Sequence, residues 1–481
     1  MIRPNSPINV QLELTDVCNH ACVHCYNNWR SYYPELMKKP NSEDIKILFK
    51  IGQRVIDADV FHIVLSGGEP LIIEKDDLEN IISMYRINGL TVGVNSNITL
   101  ADYDHGKLFK DLGVSVLASV ISYDEETFDL VTQRKGSYKR FLEGAKNLVN
   151  NGIYLSSNMV VDKFRVNDVY DTGKFVANLG FKGFNATRIS PSNSGMIKDY
   201  SGLLLDNQDM KKMLDQLIAV KKDFGLNIGS LNALPYCCVP NPEDYKEIFS
   251  RSCVAGLTTL GISSKGDVRA CQHFDKSYGN ILEEPLTSIW ERMPVWKTEY
   301  SQVCNGCVYT GKCAGGCREN ALQTSGIITG EDNLKIGGYG IITKRWDSKI
   351  DSIDEIVMSK GLKIRDEEFG AILYRSAAKY TFIDTFAKFI IKSLFTRSII
   401  RKQDILEIGK DIPYVNKSYI DRLFTGLVNN GLASKSVTNT ELSRMPKYCT
   451  NINEILYRFP IEQNLMEGEN GTRTRENSWK L

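Results

Sequence analysis

At 481 residues the chain exceeds the size at which one hydrophobic core keeps growing, so two or three domains are expected. Its 59 basic and 58 acidic residues leave a formal net charge of +1, which removes any whole-chain electrostatic case for nucleic acid or an anionic membrane as partner. The N-terminus, MIRPNSPINVQ, lacks the apolar stretch of a signal peptide, and no apolar run approaches the roughly 18 residues of a spanning helix, so a cytoplasmic protein is expected.

Six short apolar runs follow in chain order: INVQLEL (8 to 14), VFHIVLSG (60 to 67), LTVGVNSN (90 to 97), VSVLASVIS (114 to 122), IYLSSNMVV (153 to 161) and GFNATRI (183 to 189). Each has the length of a buried strand. The segments between them, such as GSYKRFLEGAKNLVNNG (136 to 152), space their apolar residues for a helix and end in Asn-Gly. This βα repeat implies a parallel sheet wrapped by helices, either an open doubly wound sheet or a full or partial barrel, with its site at the strands' C-terminal ends.

Cys18, Cys22 and Cys25, spaced C-x3-C-x2-C, stand in the loop after the first run, where such a site would be. The chain's twelve cysteines, in a reducing compartment, read as metal ligands rather than disulfides. Structural zinc usually takes four protein ligands, so His20 or His24 would have to complete that set. A 4Fe-4S cluster needs only these three thiolates if a small molecule takes the last iron.

The triad, with aromatic Tyr26 after its last cysteine, resembles that of the radical SAM enzymes. The second run ends in Gly67-Gly68-Glu69-Pro70, the segment that in this family contacts the amino group of S-adenosylmethionine (SAM). VNSNITL (94 to 100) resembles the family's ribose-contacting strand, with Asn97 at its asparagine and Ile98 where glycine is usual. SYDEETFDLVTQRKGSY (122 to 138) is similar to a Ser-x-Asp segment that places Ser122 near SAM, and Asn158 and Arg188 end later strands at positions that often carry polar groups. The resemblance implies a partial (β/α)6 TIM barrel of the radical SAM type, an α/β fold. It also implies that Cys18, Cys22 and Cys25 ligate three irons while SAM chelates the fourth. One electron from the cluster then cleaves SAM to a 5'-deoxyadenosyl radical.

Further on, Cys253, Cys271 and the run CNGCVYTGKCAGGC (304 to 317) give C-x12-G-x4-C, a gap, then C-x2-C-x5-C-x3-C. Two CxxC-like pairs also suit a zinc ribbon, but these offsets resemble the SPASM extension, which carries two auxiliary Fe-S clusters. The resemblance assigns Cys253, Cys271 and Cys317 to the first cluster and Cys304, Cys307 and Cys313 to the second, for three 4Fe-4S clusters in all. The family pattern requires one more downstream cysteine, where this sequence has Lys335. Asp332, the distant Cys449 or an open iron are the alternatives. Cys237 and Cys238 precede the segment, and either could complete the first cluster; Cys238 is taken as the candidate.

Beyond residue 350 the cysteine spacing stops. LKIRD (362 to 366), GAILYR (370 to 375) and KYTFID (379 to 384) read as strands. Phe386, Phe389, Ile390 and Leu394 mark one helix face, Ile405, Leu406 and Ile408 a second, and NKSYIDRLFTGLVNNG (416 to 431) a third. This order is similar to the winged-helix RiPP recognition element, a small α+β domain that binds the leader of a ribosomally made precursor peptide. A DNA-reading helix should be basic, whereas Lys417, Asp421 and Arg422 roughly balance.

The expected domains are therefore a barrel (1 to 235), a SPASM domain (236 to 345), the winged-helix-like element (346 to 440) and a polar tail (441 to 481). The expected activity is peptide maturation by hydrogen abstraction, forming a thioether or carbon-carbon cross-link, with flavodoxin or ferredoxin as reductant. The alternatives are serine or cysteine oxidation in a protein, epimerisation, or a non-catalytic Fe-S carrier or regulator.

Overall fold

The computed structural model describes residues 3–27, 38–192, 197, 199–334, 342, 352–394 and 399–435. The chain divides into two compact units, Met1–Asp347 and Ser348–Leu481.

In the first unit the six apolar runs form parallel strands: β1 (Asn9–Glu13), β2 (His62–Ser66), β3 (Thr91–Ser96), β4 (Ser115–Ser119), β5 (Leu155–Val161) and β6 (Gly183–Arg188). Helices α1 (Ser42–Asp57), α2 (Lys75–Ile87), α3 (Tyr103–Asp111), α4 (Glu125–Thr132), α5 (Ser137–Asn150), α6 (Val169–Asn178) and α7 (Asn207–Phe224) fall between or after them. Their starts are written locally. Asn41 closes a capping box on α1 and Asp206 one on α7, each accepting two orphan backbone N–H groups of the first turn. Along β5, Leu155, Ser157, Met159 and Val161 are buried and alternate with half-buried neighbours, the period of a pleated strand.

The sheet does not stop at the sixth strand. A short β7 (Asn227–Gly229) extends it beside β6, and β8 (Thr259–Ile262) joins the opposite side, parallel to β1 with Asn9 opposite Thr259. A two-residue β9 (Val268–Arg269) runs antiparallel to β8, giving the order β7-β6-β5-β4-β3-β2-β1-β8-β9. The cysteine-rich segment expected from residue 236 therefore contributes two strands to the barrel sheet and shares its compact unit. One apolar core runs from Val10 through Phe141 to Trp290 and Leu334. The rest of the segment carries α8 (Leu286–Arg292), α9 (Thr310–Cys313) and α10 (Arg318–Ser325). Arg269 on β9 forms an ion pair with Glu13 on β1 at 2.6 Å, both side chains almost fully buried.

The second unit contains the three expected strands, β11 (Lys363–Glu367), β12 (Gly370–Ser376) and β13 (Lys379–Asp384), as an antiparallel meander. Helices α11 (Thr385–Leu394), α12 (Lys402–Ile408) and α13 (Lys417–Asn429) are likewise present. No expected strand corresponds to a second small sheet, in which β10 (Glu355–Met358) lies between β14 (Ile400–Arg401) and β15 (Ala433–Lys435). Ile356, Leu373, Ile390, Ile420, Phe424 and Leu427 fill the core between these elements. Lys335, Cys449 and the tail after 435 lie outside the described residues.

Replacing Glu13 by Gln leaves the buried Arg269 guanidinium without its counter-charge, which should cost about 3–5 kcal/mol in chemical denaturation. The double variant Glu13→Leu/Arg269→Leu should recover most of that loss. A single-variant cost below about 1 kcal/mol, the value of an exposed pair, would show that the ion pair does not hold β9 in the sheet.

Candidate metal centres

The loop carrying Cys18, Cys22 and Cys25 leaves β1 and is fixed mainly by backbone contacts. Ala21 and Val23 donate to the carbonyls of Thr132 and Val131 at 3.1 and 3.0 Å, and Cys25 donates back to Cys22 at 3.0 Å. His20 is buried, with its Nε2 3.2 Å from the Ser137 hydroxyl, so it anchors the loop to α5. Cys18 and Cys25 are buried and Cys22 half-buried. The Asn27 amide donates to the Cys25 sulfur at 3.4 Å, a bond of the kind that tunes cluster potential. The Tyr26 ring stacks on His273 with centroids 4.2 Å apart. Burial, and then the charge of Arg269, lowers the His273 pKa to about 4 and keeps the ring neutral.

Gly67 and Gly68 meet this loop edge-on. Gly68 donates to the Thr15 carbonyl at 2.6 Å and Glu69 to the Val17 carbonyl at 2.8 Å. A side chain on Gly67, whose φ is +122°, would lie 2.5 Å from the Thr15 oxygen, and one on Gly68 would overlap the Val17 carbonyl. The diglycine is thus required for the loop to approach. The Glu69 carboxylate turns inward, accepting from the Ser96 hydroxyl at 2.6 Å and from the amides of Asn97 at 2.8 Å and Leu71 at 3.1 Å. Pro70 opens a short 3-10 turn after it.

The other expected SAM contacts are engaged within the protein. The Asn97 side chain donates to Asn19 at 2.8 Å and accepts from the Thr99 hydroxyl at 2.6 Å, which ties the end of β3 to the cysteine loop. The Ser122 hydroxyl is fully buried and accepts the Asp124 amide at 3.1 Å. Asn158 accepts from Thr187 at 2.6 Å. Arg188 and Asp332, expected at SAM and at an auxiliary cluster respectively, instead pair with each other. The guanidinium meets both carboxylate oxygens, at 2.6 and 2.5 Å, with both residues buried. Asp332 also accepts from the amides of Cys317 at 3.1 Å and Leu334 at 3.1 Å and from Asn320 at 3.2 Å. Each oxygen of Asp332 thus has at least two donors. Ser96, Asn19, Thr99 and His273 were not singled out by sequence, for their roles arise only from long-range neighbours.

The remaining cysteines gather in two groups. Cys253, Cys271 and Cys317 act on one another electrostatically. Cys304, Cys307 and Cys313 line one cavity together with Cys237, Tyr236 and Thr310. Cys238 is fully buried in the apolar core, with Arg188 the charge that acts on it most. Among the described residues no three His, Cys, Asp or Glu side chains close to single-ion distance. Zinc would demand donors about 2.0–2.3 Å from one point, whereas a four-iron cluster spreads its thiolates more widely. The thiol groups of Cys304, Cys307 and Cys313 around one cavity, and the backbone amides directed at the sulfurs of Cys25 and Cys313, fit such clusters.

Compared with known proteins, residues 12–176 match the radical SAM superfamily, and residues 253–308 match SPASM, an iron-sulfur cluster-binding domain. An AdoMet-dependent heme synthase of Methanosarcina barkeri is 26% identical over 348 residues, covering 68% of this chain and 96% of that one. The antilisterial bacteriocin subtilosin biosynthesis protein AlbA of Bacillus subtilis is 26% identical over 331 residues, covering 66% and 69%. The crystal structure of Streptococcus suis SuiB bound to precursor peptide SuiA shares the fold, with a TM-score of 0.55 at 17% identity over 68% of this chain and 75% of that one. A parallel sheet with three thiolates beyond the end of its first strand, and further cysteines built onto its edge, defines an iron-sulfur enzyme that uses SAM. Residues 12–176 thus form a radical SAM domain and residues 253–308 a SPASM domain, and the two together imply a SAM-binding 4Fe-4S cluster and auxiliary clusters as cofactors. Among the described residues no helix is long and apolar enough to cross a membrane.

The variant Gly68→Ala should push the Val17 carbonyl and with it the cysteine loop, and misplacement of that order costs about a hundredfold in rate. SAM cleavage by the reduced protein should fall accordingly while circular dichroism is retained. Unchanged cleavage would show that the loop tolerates the displacement.

Proposed function

We propose that this enzyme matures a ribosomally made precursor peptide, abstracting hydrogen from one of its residues and forming a thioether or carbon-carbon cross-link. The observation that carries this reading is the second unit. The heme synthase accounts for 96% of its own length with 68% of this chain, so about a third of this chain has no counterpart there. The second unit has the features of a peptide-docking module. Among the described residues β13 is an edge strand of the meander, paired with β12, and its other side is the edge proposed for strand addition. The hydroxyl of Tyr419, on α13, donates to Asp384 at the end of β13 at 2.8 Å. Phe386, Tyr414 and Tyr419 cluster there with ring centroids 5.7 to 6.4 Å apart, and Tyr414 is 53% exposed. This is an apolar seat for leader side chains beside an open strand edge. DNA is disfavoured, since the buried Lys402 pairs with Asp421 at 2.6 Å on the recognition-like helix.

Bound at the triad, the reduced cluster and SAM supply a 5'-deoxyadenosyl radical able to take hydrogen from an unactivated carbon. The chain's own contribution is to hold that chemistry in place. Cys18, Cys22 and Cys25 ligate, Gly67 and Gly68 admit their loop, and Glu69 locks the loop to β3 through Ser96 and Asn97. Ser122 and Asn158 supply polar groups near SAM. The relative AlbA is by its name a bacteriocin biosynthesis protein, and the fold neighbour SuiB was crystallised with a precursor peptide. The heme synthase likeness favours a second reading, a tetrapyrrole substrate, at equal identity. The reductant is a small flavodoxin or ferredoxin, and the working compartment is the cytoplasm.

Replacing Cys18, Cys22 and Cys25 together by Ala should abolish 5'-deoxyadenosine formation while iron remains at the other cysteines; residual formation would refute the triad assignment. Tyr414→Ala should weaken binding of a precursor peptide encoded beside the gene by about tenfold, as for an aromatic hot spot, with uncoupled SAM cleavage unchanged. Equal affinity in the variant, or turnover of a tetrapyrrole by the parent, would overturn the peptide reading.

A further inference from the structure

The family pattern leaves the second auxiliary cluster one thiolate short, because Lys335 stands where a downstream cysteine is usual. The oxygen nearest in sequence, Asp332, is held by Arg188 on both sides. Another sulfur reaches the site from the opposite direction along the chain. Cys237 lines the same cavity as Cys304, Cys307 and Cys313, and those three are the thiols that act on it electrostatically.

Backbone contacts make this approach specific. Cys237 lies in the short 3-10 turn Tyr236–Cys238. The Tyr236 amide donates to the Cys313 sulfur at 3.4 Å, and that sulfur is 3.8 Å from the Leu234 carbonyl. The chain from Leu234 to Cys237 is therefore laid against Cys313. Tyr236 is fixed in turn, its hydroxyl donating to the Phe249 carbonyl at 2.5 Å. The two halves of the Cys-Cys pair diverge. Cys237 is half-buried and lines the cavity, whereas Cys238 is fully buried in the core and does not.

We propose that Cys237 is the fourth thiolate of the second auxiliary cluster, completing a set of Cys237, Cys304, Cys307 and Cys313. The inference rests on the SPASM assignment and alters what that cluster can do. With four protein thiolates no iron is left for substrate, so the cluster passes electrons and does not bind the peptide. It also means that the ligand lost downstream is replaced from upstream of the whole cysteine-rich segment.

The test uses the full chain with Cys18, Cys22 and Cys25 replaced by Ala, which should retain about eight irons from two four-iron clusters. Adding Cys237→Ala should either lower the iron content to about four or convert the electron paramagnetic resonance signal of one cluster. Adding Cys238→Ala instead should leave the signal of the second auxiliary cluster unchanged. Fewer than about eight irons before Cys237 is altered would count against the SPASM clusters themselves, a failure distinct from that of the Cys237 assignment. Should the alanine variant not fold, alkylation of the unaltered chain gives the same answer. Cys237 should resist iodoacetamide in the iron-loaded protein and react once iron is chelated, read by mass spectrometry. An unchanged iron count and spectrum in the Cys237→Ala protein, or equal Cys237 labelling with and without iron, overturns the proposal.

Discussion

The pairing of Arg188 with Asp332 governs the whole active end of the first unit. Two opposite charges withdrawn from water are tolerated only where their geometry is good and their remaining hydrogen-bonding capacity is met. Here the carboxylate takes both guanidinium nitrogens, two backbone amides and one side-chain amide. It thereby joins the end of β6, the start of α10 at Cys317 and the chain beyond it. A barrel strand and a cluster ligand are positioned by the same five donors. Substitution of either partner would leave a buried charge uncompensated, a penalty of several kcal/mol.

A second constraint acts around the triad, and it is one of clearance. The diglycine after β2 admits a loop that any side chain would displace, and Glu69 then fastens that loop's neighbour strand. At the end of β3 the backbone takes a left-handed turn at Ile98, with φ +54°, although a β-branched residue is poorly suited to it. The conformation is held by a bond from the Ile98 amide to the Ser96 hydroxyl at 2.8 Å, by complete burial of the side chain, and by the close approach of its carbonyl to Gly144. Strain of order 1–3 kcal/mol persists only where the surroundings fix it in this way, and here they are the site itself.

What the sequence made legible was local. Six strands followed from apolar runs, and the radical SAM and SPASM domains from cysteine spacing, because both signals are written within short stretches of chain. The pairs that define the site are not. Arg188 and Asp332 are separated by 144 residues, and Glu69 finds Ser96 across 27. A polar residue at a strand end therefore read equally well as a ligand contact or as half of an ion pair, and only the distant Asp332 reveals the pair at Arg188. The strands β9 and β14 have two residues each, too few for any period to show. Likewise, the adjacent cysteines at 237 and 238 are chemically identical in sequence, and only the turn that carries them separates a cavity wall from a core residue.

The insertion of β8 beside β1 has a consequence for the life of the protein in the cell. An uncovered parallel strand presents a row of open amides and carbonyls to any other chain. In this fold that row is sealed by β8, a strand that stands in the chain between Cys253 and Cys271. The seal comes from far along the chain, Asn9 lying opposite Thr259 in the register, 250 positions further on. A newly synthesised chain in which β8 has yet to dock would therefore meet its neighbours with an adhesive border.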